Sequence, residues 1–546
     1  MRSLLCLFLT LVTVFSVAQA QQSVNLTSSN LPIIVINTND QPIPDDPKIM
    51  ADMGIIYNGE GNRNQITDAF NHYNGKIGIE IRGQSSQMFP MKSYSIELWD
   101  ESGEGVDRSL LGLPKESDWV LYAPYTDKTL MRNFIAYTLS RNLGHWAANC
   151  RFVEVVLNGK YVGVYVFMER IKRNKGRVNV PKMEKTDETG DAVTGGYIFS
   201  LDKEPNGWFS QYLPPHAAAN QRPQFSYVYP KPGDINNAQK TYIRSFVDSF
   251  ENALHGNNFQ DPVNGVRKFA ELNSFIDYFI VNEVSRNVDG YRLSSYFYKN
   301  RNSTDRRIYA GPVWDYDLAF RNADYCNGSL TSGWAYEFNK ICPGDGAGLI
   351  PFWWNRLMED TAWVGNLRCR WTELRSGMLS DAGINHMIDS VTQLLGEAQQ
   401  RHFTAWPVLG QYVWPNPQPI PSSYAGEITA LKDWLKLRLL WIDKNLPDKG
   451  RCGDNTPDPV GSFGLWTLAN PFIGNADIRI KSKIEQAAHM QVIDMTGRKL
   501  SAKKLQLNPG SQWVSLDAQS WPAGIYLIHV FNDMGEKQTL KMMKSY

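Results

Sequence analysis

One short run, GPVWDYDLAF at residues 311–320, limits the folds open to this chain more than any other. Asp315 and Asp317 stand two apart among Val313, Trp314, Leu318 and Phe320. A carboxylate in so apolar a setting is costly unless a donor or a cation pairs it. Any fold of this chain must therefore bring a partner to those two charges. In an extended segment both would lie on one face, about 7 Å apart along it.

The flanking pattern says how a partner could arrive. Asn273 can cap a helix whose buried face includes Phe275, Ile276, Phe279, Ile280 and Val284. Ser295 to Tyr298 and Arg307 to Ala310 then read as two strands, joined by a turn over Asn300 to Asp305. In an antiparallel pair, the residue entering the first strand and the residue leaving the second lie at the same end. Asp289 precedes this hairpin, while Asp315 and Asp317 follow it. The three carboxylates would repel one another there, and a divalent cation would reverse the sign of that interaction. Taken alone, Asp289-Gly290 reads as a common turn pair, and Asp315 as a cap for backbone amides.

Upstream, Leu31 to Asn37 is a β-rich run followed by Pro-Asp turn signals. Lys76 to Ile81 alternates with period two and meets Arg82-Gly83 and a polar loop, Gln84 to Gln87. Lys92 to Leu98 alternates again. Thr126 or Asp127 can cap a helix that carries Met131, Phe134, Ile135, Thr138 and Leu139 on one face, with Arg132 as a plain surface charge. Arg151 to Val166 reads as a hairpin turning at Asn158-Gly159, and its second strand runs on to Glu169. Helical patterns dominate from Leu349 to Leu446, residues 447–461 form a polar linker, and short strands follow to the end.

Composition bounds the rest. The chain has 546 residues, more than one ordinary domain, and 42% hydrophobic residues mark it as globular. A net charge of +1 gives no bulk attraction to nucleic acid. Residues 1–20 read as an export signal: Met1-Arg2, an apolar stretch from Leu4 to Val17, then Ala18-Gln19-Ala20. That stretch is too short to span a bilayer, and no later one is apolar and long enough. The expected product is soluble and outside the cytoplasm. Cleavage leaves Cys150, Cys326, Cys342, Cys369 and Cys452, so at least one stays unpaired within the chain. Cys326 and Cys342 bracket a glycine-containing loop and are the favoured disulfide in an oxidising compartment. No Cys/His spacing suggests zinc.

The order helix, Asp-bearing loop, hairpin, Asp-bearing loop is that of the C-terminal half of protein-kinase-like folds. The segments RGQSSQMFPMKSYSIEL, DKTLMRNFIAYTLSRNLG, VEVVLNGKYVGVYVFMERI, NVDGYRLSSYFYKN and GPVWDYDLAF together resemble the CotH family, which is built on an atypical protein-kinase fold. The resemblance runs from about Lys76 to Phe320. It implies an α+β class, with a β-rich segment at 21–75 and a two-lobed kinase-like core at 76–446. It implies ATP and Mg²⁺ as cofactors and a protein substrate, with phosphate passing to a Ser or Thr hydroxyl. Asp289 would be the catalytic aspartate and Asp315 a metal ligand. Arg82, Gly83, Ser85 and Lys92 would contact the nucleotide, with Glu169 either partnering Lys92 or ending its strand. One departure is that a kinase-like catalytic loop offers the metal an Asn, where this chain has Ser294-Ser295. Asp317 would supply that oxygen as a second metal ligand, or the second metal site is weaker.

The C-terminal segments LANPF, QVIDMTGRKL, PAGIYLIHV and QTLKMMK resemble a type IX secretion sorting domain, a small β-sandwich over 462–546. That implies the secretion machinery as a partner and a secreted or cell-surface location. Two rival readings remain. A glycoside hydrolase would use two carboxylates about a sugar bond, and the 17 tryptophans suit it. Carboxylates side by side fit a shared cation better. A catalytically silent surface protein on the same scaffold is favoured by the scarcity of ATP outside cells. Nucleotide binding with Mg²⁺ separates the first reading from both.

Overall fold

In the computed structural model, residues 21–203, 206–217, 221–342, 348–449, 461–467, 472 and 474–544 are described. The expected export signal and most of the expected linker lie outside them. The first half is strand after strand: β1 (Ser28–Ser29), β2 (Ile33–Asn37), β3 (Ile49–Ile56), β4 (Asn64–Gln65), β5 (Tyr73–Arg82), β6 (Ser93–Trp99), β7 (Asp118–Tyr122), β8 (Cys150–Leu157) and β9 (Lys160–Glu169), with helix α1 (Arg132–Asn142) between β7 and β8. The turn between β8 and β9 has positive φ at both Asn158 and Gly159, 50° and 74°, which matches the right-handed twist of the hairpin it joins.

Seven of these strands close a barrel in the order β2-β3-β5-β6-β7-β9-β8. The closing seam is parallel and pairs Ile33 with Glu154. The break expected at residue 75 therefore falls inside β5, and the supposed leading segment supplies two barrel staves. The physical reason is twofold. β2 and β3 bury Ile33, Ile34, Ile36, Ile55 and Ile56, and without them β5 and β8 would present unpaired edges.

A second sheet follows, from β10 (Tyr197–Leu201), β11 (Trp208–Phe209), β12 (Gln224–Tyr229), β13 (Ser295–Lys299) and β14 (Ile308–Ala310), in the order β11-β12-β10-β13-β14. Helix α2 (Asn237–His255), which the sequence reading passed over, starts in a capping box between Asn236 and Gln239. Helix α3 (Leu272–Ser285) is capped by Glu271, whose carboxylate accepts from Ser274 N, and not by Asn273, which lies inside the first turn. All of its residues but Asn273 are buried, which fits its position under the β13–β14 hairpin. Helices α4 (Trp353–Leu357), α5 (Thr361–Ser376), α6 (Asp381–Ala405) and α7 (Tyr424–Asn445) complete this half.

The tail holds β15 (Phe463–Thr467), β16 (Asn475–Ser482), β17 (Gln486–Asp494), β18 (Lys499–Leu507), β19 (Gly510–Asp517), β20 (Gly524–Asn532) and β21 (Lys537–Lys544). They form two sheets, β15-β16-β19 and β18-β17-β20-β21, around one core that includes Ile478, Ile480, Val492 and Ile528. That core is separate from the one running from Leu26 to Ile442. Cys326 and Cys342 are joined as expected, with their Cα atoms 5.5 Å apart. Cys150 is a buried free thiol, and Cys369 is disulfide-bonded. Among the described residues no helix is long and apolar enough to cross a membrane.

Candidate active site

The chain leaves β14 and reaches Asp315 in a left-handed conformation, φ 60°. The extended geometry expected for this run is broken there, and the chain turns at once, with Ala319 N donating to Tyr316 O at 3.2 Å. A non-glycine residue held at positive φ persists only where its surroundings impose it. Here they do. Tyr316 N donates to Asn133 Oδ1 at 2.6 Å, Asp315 N to the Tyr137 hydroxyl at 3.2 Å, and Arg132 Nε to Phe320 O at 3.3 Å. All three side chains come from α1, so one helix holds the whole turn.

Arg132 is accordingly no surface charge. It is buried and ion-paired with Asp127. The expected capping role of Asp127 is met in an altered form: its Oδ2 accepts from Arg132 N at 2.8 Å, at the head of α1.

Asp289 comes to the same end of the hairpin through its neighbours. Arg286 turns the chain out of α3 with φ 46°. Asn287 Nδ2 donates to Asp315 O at 3.2 Å, and Ser294 Oγ to Asp315 Oδ2 at 3.4 Å. The loop that carries Asp289 is thus tied to Asp315 on both sides. Gly290 is required within it, because a Cβ there would meet Asn282 Oδ1 at 2.5 Å and Asn287 O at 3.0 Å. Arg292, buried, lies 3.6 Å from the Asp289 carboxylate.

Charge accumulates in this corner. Asp315 is exposed to solvent although other groups surround it. Crowding raises its pKa to about 6; Arg82 opposes the rise, and Asp202 and Asp289 add to it. Asp317 goes further, to about 8, through burial and then through repulsion from Asp315, Asp289 and Asp127. Among the described residues neither Asp315 nor Asp317 has a cation within ion-pair distance. Among the described residues no set of three or more His, Cys, Asp or Glu side chains is arranged to hold a metal either. Two hard carboxylates are what Mg²⁺ takes from a protein when phosphate oxygens and water complete its shell, so the donor set fits that ion.

A cation that acts on Asp315 is Arg82, at the end of β5. Its guanidinium lies over the Trp314 ring, 5.6 Å from the centroid, and feels Asp315 on one side and Arg170 on another. Its Nη1 is buried and has no hydrogen-bond partner among the described residues. Next to it Gly83 takes φ 96°, and a Cβ there would fall 2.0 Å from Ser86 Oγ. Ser85 opens the short 3₁₀ turn that follows, Ser85–Met88. Lys92 Nζ donates back to Gln87 O and so ties this loop down.

Lys92 and Glu169 are not brought together. Glu169 is level with Trp119 and Ile96 across the barrel, four residues along β6 from Lys92, or about 13 Å. Its carboxylate accepts from Asn149 N and Nδ2, and Arg177 lies 3.9 Å away. Strand alternation points the next residue, Arg170, the other way; it lies 3.9 Å from the Asp118 carboxylate and near enough to Arg82 to repel its charge. Arg170, Asp202, Asn133 and Tyr137 escaped the sequence reading because each reaches the cleft across a sheet or from a separate helix.

Several comparisons bear on what this chain is. The CotH kinase protein family matches residues 79–442, and the secretion system C-terminal sorting domain matches 469–545. No curated protein matches. Similar solved structures include a beta-glucosidase from Listeria innocua in complex with glucose, at 13% identity and TM-score 0.13. The match covers 19% of this chain and 20% of that one. Another is an endo-beta-1,4-mannanase from Thermotoga petrophila, at 12% identity and TM-score 0.12, covering 24% of this chain and 27% of the other. The sorting domain marks the protein for type IX secretion, to the cell surface or beyond it. With its cleft of aspartates inside the matched span, the chain belongs to the CotH kinase protein family.

Proposed function

We propose that this protein is a secreted phosphotransferase with a two-lobed kinase-like core, taking phosphate from ATP with Mg²⁺ and passing it to a Ser or Thr hydroxyl of a protein. The observation that carries the reading is the juxtaposition of opposite defects in one cleft. Among the described residues, the buried Arg82 Nη1 has no acceptor, and neither Asp315 nor Asp317 has a cation within ion-pair distance. A buried donor left unpaired is rare enough to call for a ligand, and an arginine fork matches phosphate oxygens. A ligand that brings both a divalent cation and anionic oxygens satisfies both defects at once.

Asp315 and Asp317 would hold the Mg²⁺, which supplies charge neutralisation on the phosphates when bound. Arg82, stacked on Trp314, orients the anionic end of the donor. Gly83 lets the backbone turn tightly beside it, and Ser85 lies at the exposed lip of that loop. Lys92 serves by fixing the loop through Gln87 O. Asp289, half-buried and steadied by Arg292, receives the acceptor hydroxyl's proton. Glu169 contributes to the barrel end and not to this cleft.

Isothermal titration of the protein with Mg·ATP tests the reading. Binding is expected to need Mg²⁺, and Arg82→Ala is expected to weaken it by ~10-fold or more, the scale of one charged hydrogen bond. No binding by the unaltered protein would hand the case to the silent-scaffold reading.

A further inference from the structure

We propose that Arg286 is a positioning residue for the Asp289 loop, and that its grip depends on the closed Cys326–Cys342 disulfide. The structural side of this holds without any ligand; its catalytic consequence rests on the role given to Asp289 above.

Arg286 is the residue that turns the chain from α3 into the Asp289 loop, and it is almost fully buried. Its guanidinium donates to the carbonyls of Asn327 at 2.6 Å and Gly333 at 3.3 Å, and lies 4.8 Å from the centre of the Phe338 ring. All three partners sit inside the loop that the disulfide closes, 326–342. The approach is tight: a Cβ on Gly333 would stand 3.0 Å from Arg286 Nη2. The same loop touches the Asp289 loop twice more. Val288 packs on Gly328, where an added Cβ would meet Val288 Cγ1 at 2.5 Å. Glu283, one turn earlier on α3, accepts from the amides of Ala335 and Tyr336 and from the hydroxyl of Tyr291, which lies two residues after Asp289.

The closed loop contains no strand and only one short 3₁₀ helix, Ala335–Lys340. No sheet ladder therefore fixes the carbonyls that Arg286 uses. Arg438 on α7 holds Thr331 and Gly333 from the far side and forms an ion pair with Glu283 at 3.0 Å. On reduction, the Gly333 end stays anchored to α7. The Asn327 end, next to Cys326, keeps Arg286, the Gly328 contact, the Trp434 Nε1 bond to Ser329 O at 2.7 Å and, before Cys326, the Asp324 N bond to Pro415 O at 2.9 Å. The disulfide adds a covalent tie one residue from Asn327, whose carbonyl accepts the shorter of the two Arg286 bonds.

This makes the loop sensitive to compartment. Cytosolic thiols stay reduced, and disulfides persist outside. A chain marked for secretion would acquire a fixed Asp289 loop only once exported. Reversal needs a dithiol such as dithiothreitol. It gives two electrons to the S–S bond, each cysteine sulfur gains a proton, and the dithiol closes to its own cyclic disulfide.

Hydrogen exchange on the full-length protein without nucleotide tests the proposal. It is compared in four forms: oxidised, dithiothreitol-treated, Cys326→Ser with Cys342→Ser, and Arg286→Lys. Amides of 286–294 are expected to exchange ~10-fold faster or more in the last three, with barrel strands unchanged, as for a local opening. A single ammonium cannot reach both carbonyls and the ring, so the lysine variant mimics reduction without touching a cysteine. In a Mg·ATP transfer assay the same three forms are expected to lose turnover by ~10-fold or more while nucleotide affinity stays within ~2-fold. Unchanged exchange at 286–294 in the reduced protein or in Arg286→Lys would overturn the proposal. If the double serine variant exchanges fast throughout, Arg286→Lys decides. If the loop responds but no form transfers phosphate, the kinase reading fails and the positioning role stands.

Discussion

Folding places Asp317 beside Asp315, Asp289 and Asp127, and the repulsion, added to burial, lifts its pKa to about 8. The folded protein therefore binds this proton more tightly than the unfolded chain, where a carboxyl titrates near 4. With the folded pKa raised, stability from this group falls as pH rises from about 4 to 8 and is lowest above that. Asp317→Asn, which cannot ionise, is expected to melt a few degrees higher than the parent at pH 8 and to show little difference at pH 4; scanning calorimetry at the two values checks it. The proton also has to leave when a cation arrives. Titration with Mg·ATP near pH 7 in buffers of different ionisation heat is expected to show proton release of up to about one per site. Asp315 and Asp289 should differ when each is changed to Asn. Asp315→Asn is expected to weaken nucleotide binding and remove its Mg²⁺ dependence. Asp289→Asn is expected to leave binding nearly intact and cut transfer by roughly 10²-fold or more, the scale for a lost general base. Equal Mg·ATP affinity in both variants would remove Asp315 as the ligand.

Among the elements, α1 decides whether the aspartates are in register. Asn133 and Tyr137 hold the amides of Tyr316 and Asp315, and Tyr137 stacks on Trp314, on which Arg82 also rests. Asn133→Ala leaves a buried amide without its acceptor, a cost of about 1–3 kcal/mol. The expected result is a lower denaturation midpoint together with weaker Mg·ATP binding, while Asn133→Asp keeps an acceptor but adds a further carboxylate beside the cluster and should bind no better than the alanine variant. Between α3 and α7, Glu283 and Arg438 form an ion pair in which both partners are essentially inaccessible. Its loss on one side strands a buried charge. Arg438→Met is expected to cost about 3–5 kcal/mol in urea unfolding. A cost below 1 kcal/mol would show that the Ala335 and Tyr336 amides and the Tyr291 hydroxyl satisfy the Glu283 carboxylate without Arg438.

At the scale of the whole molecule, the described residues form two hydrophobic cores with no buried residue in common. The larger spans the barrel, the second sheet and helices α1 to α7; the smaller spans the sorting domain. A chain ending at Leu446 is therefore expected to fold and to keep its nucleotide affinity, since the aspartate cleft draws on the larger core alone. Failure of that truncated chain to fold would mean that the two units depend on each other. The barrel makes the opposite expectation for the N-terminus. Deleting residues 21–56 removes β2 and β3, opens the closing seam on β8, and exposes the edge of β5. Such a deletion is expected to aggregate and not merely to lose an appendage.

What the sequence alone determined here is mostly local. The Asn158-Gly159 turn, the helix before the β13–β14 hairpin and the pairing of Cys326 with Cys342 follow from short-range periodicity, turn chemistry and spacing. So did the approach of the Asp289 loop to Asp315, because one hairpin lies between them and its strands fix which ends meet. Tertiary structure decided what long-range packing decides. Nothing local says that β2 pairs with β8, that Arg132 is drawn under the Phe320 carbonyl, or that Glu169 meets Asn149 while Arg170 comes within electrostatic reach of Arg82. Those outcomes depend on closing a barrel and stacking it against a helix, where pieces distant in sequence compete for the same buried positions. Arg82, Trp314 and Tyr137 illustrate it. They come from three separate segments, and only the folded chain stacks them beside the two carboxylates that opened the question.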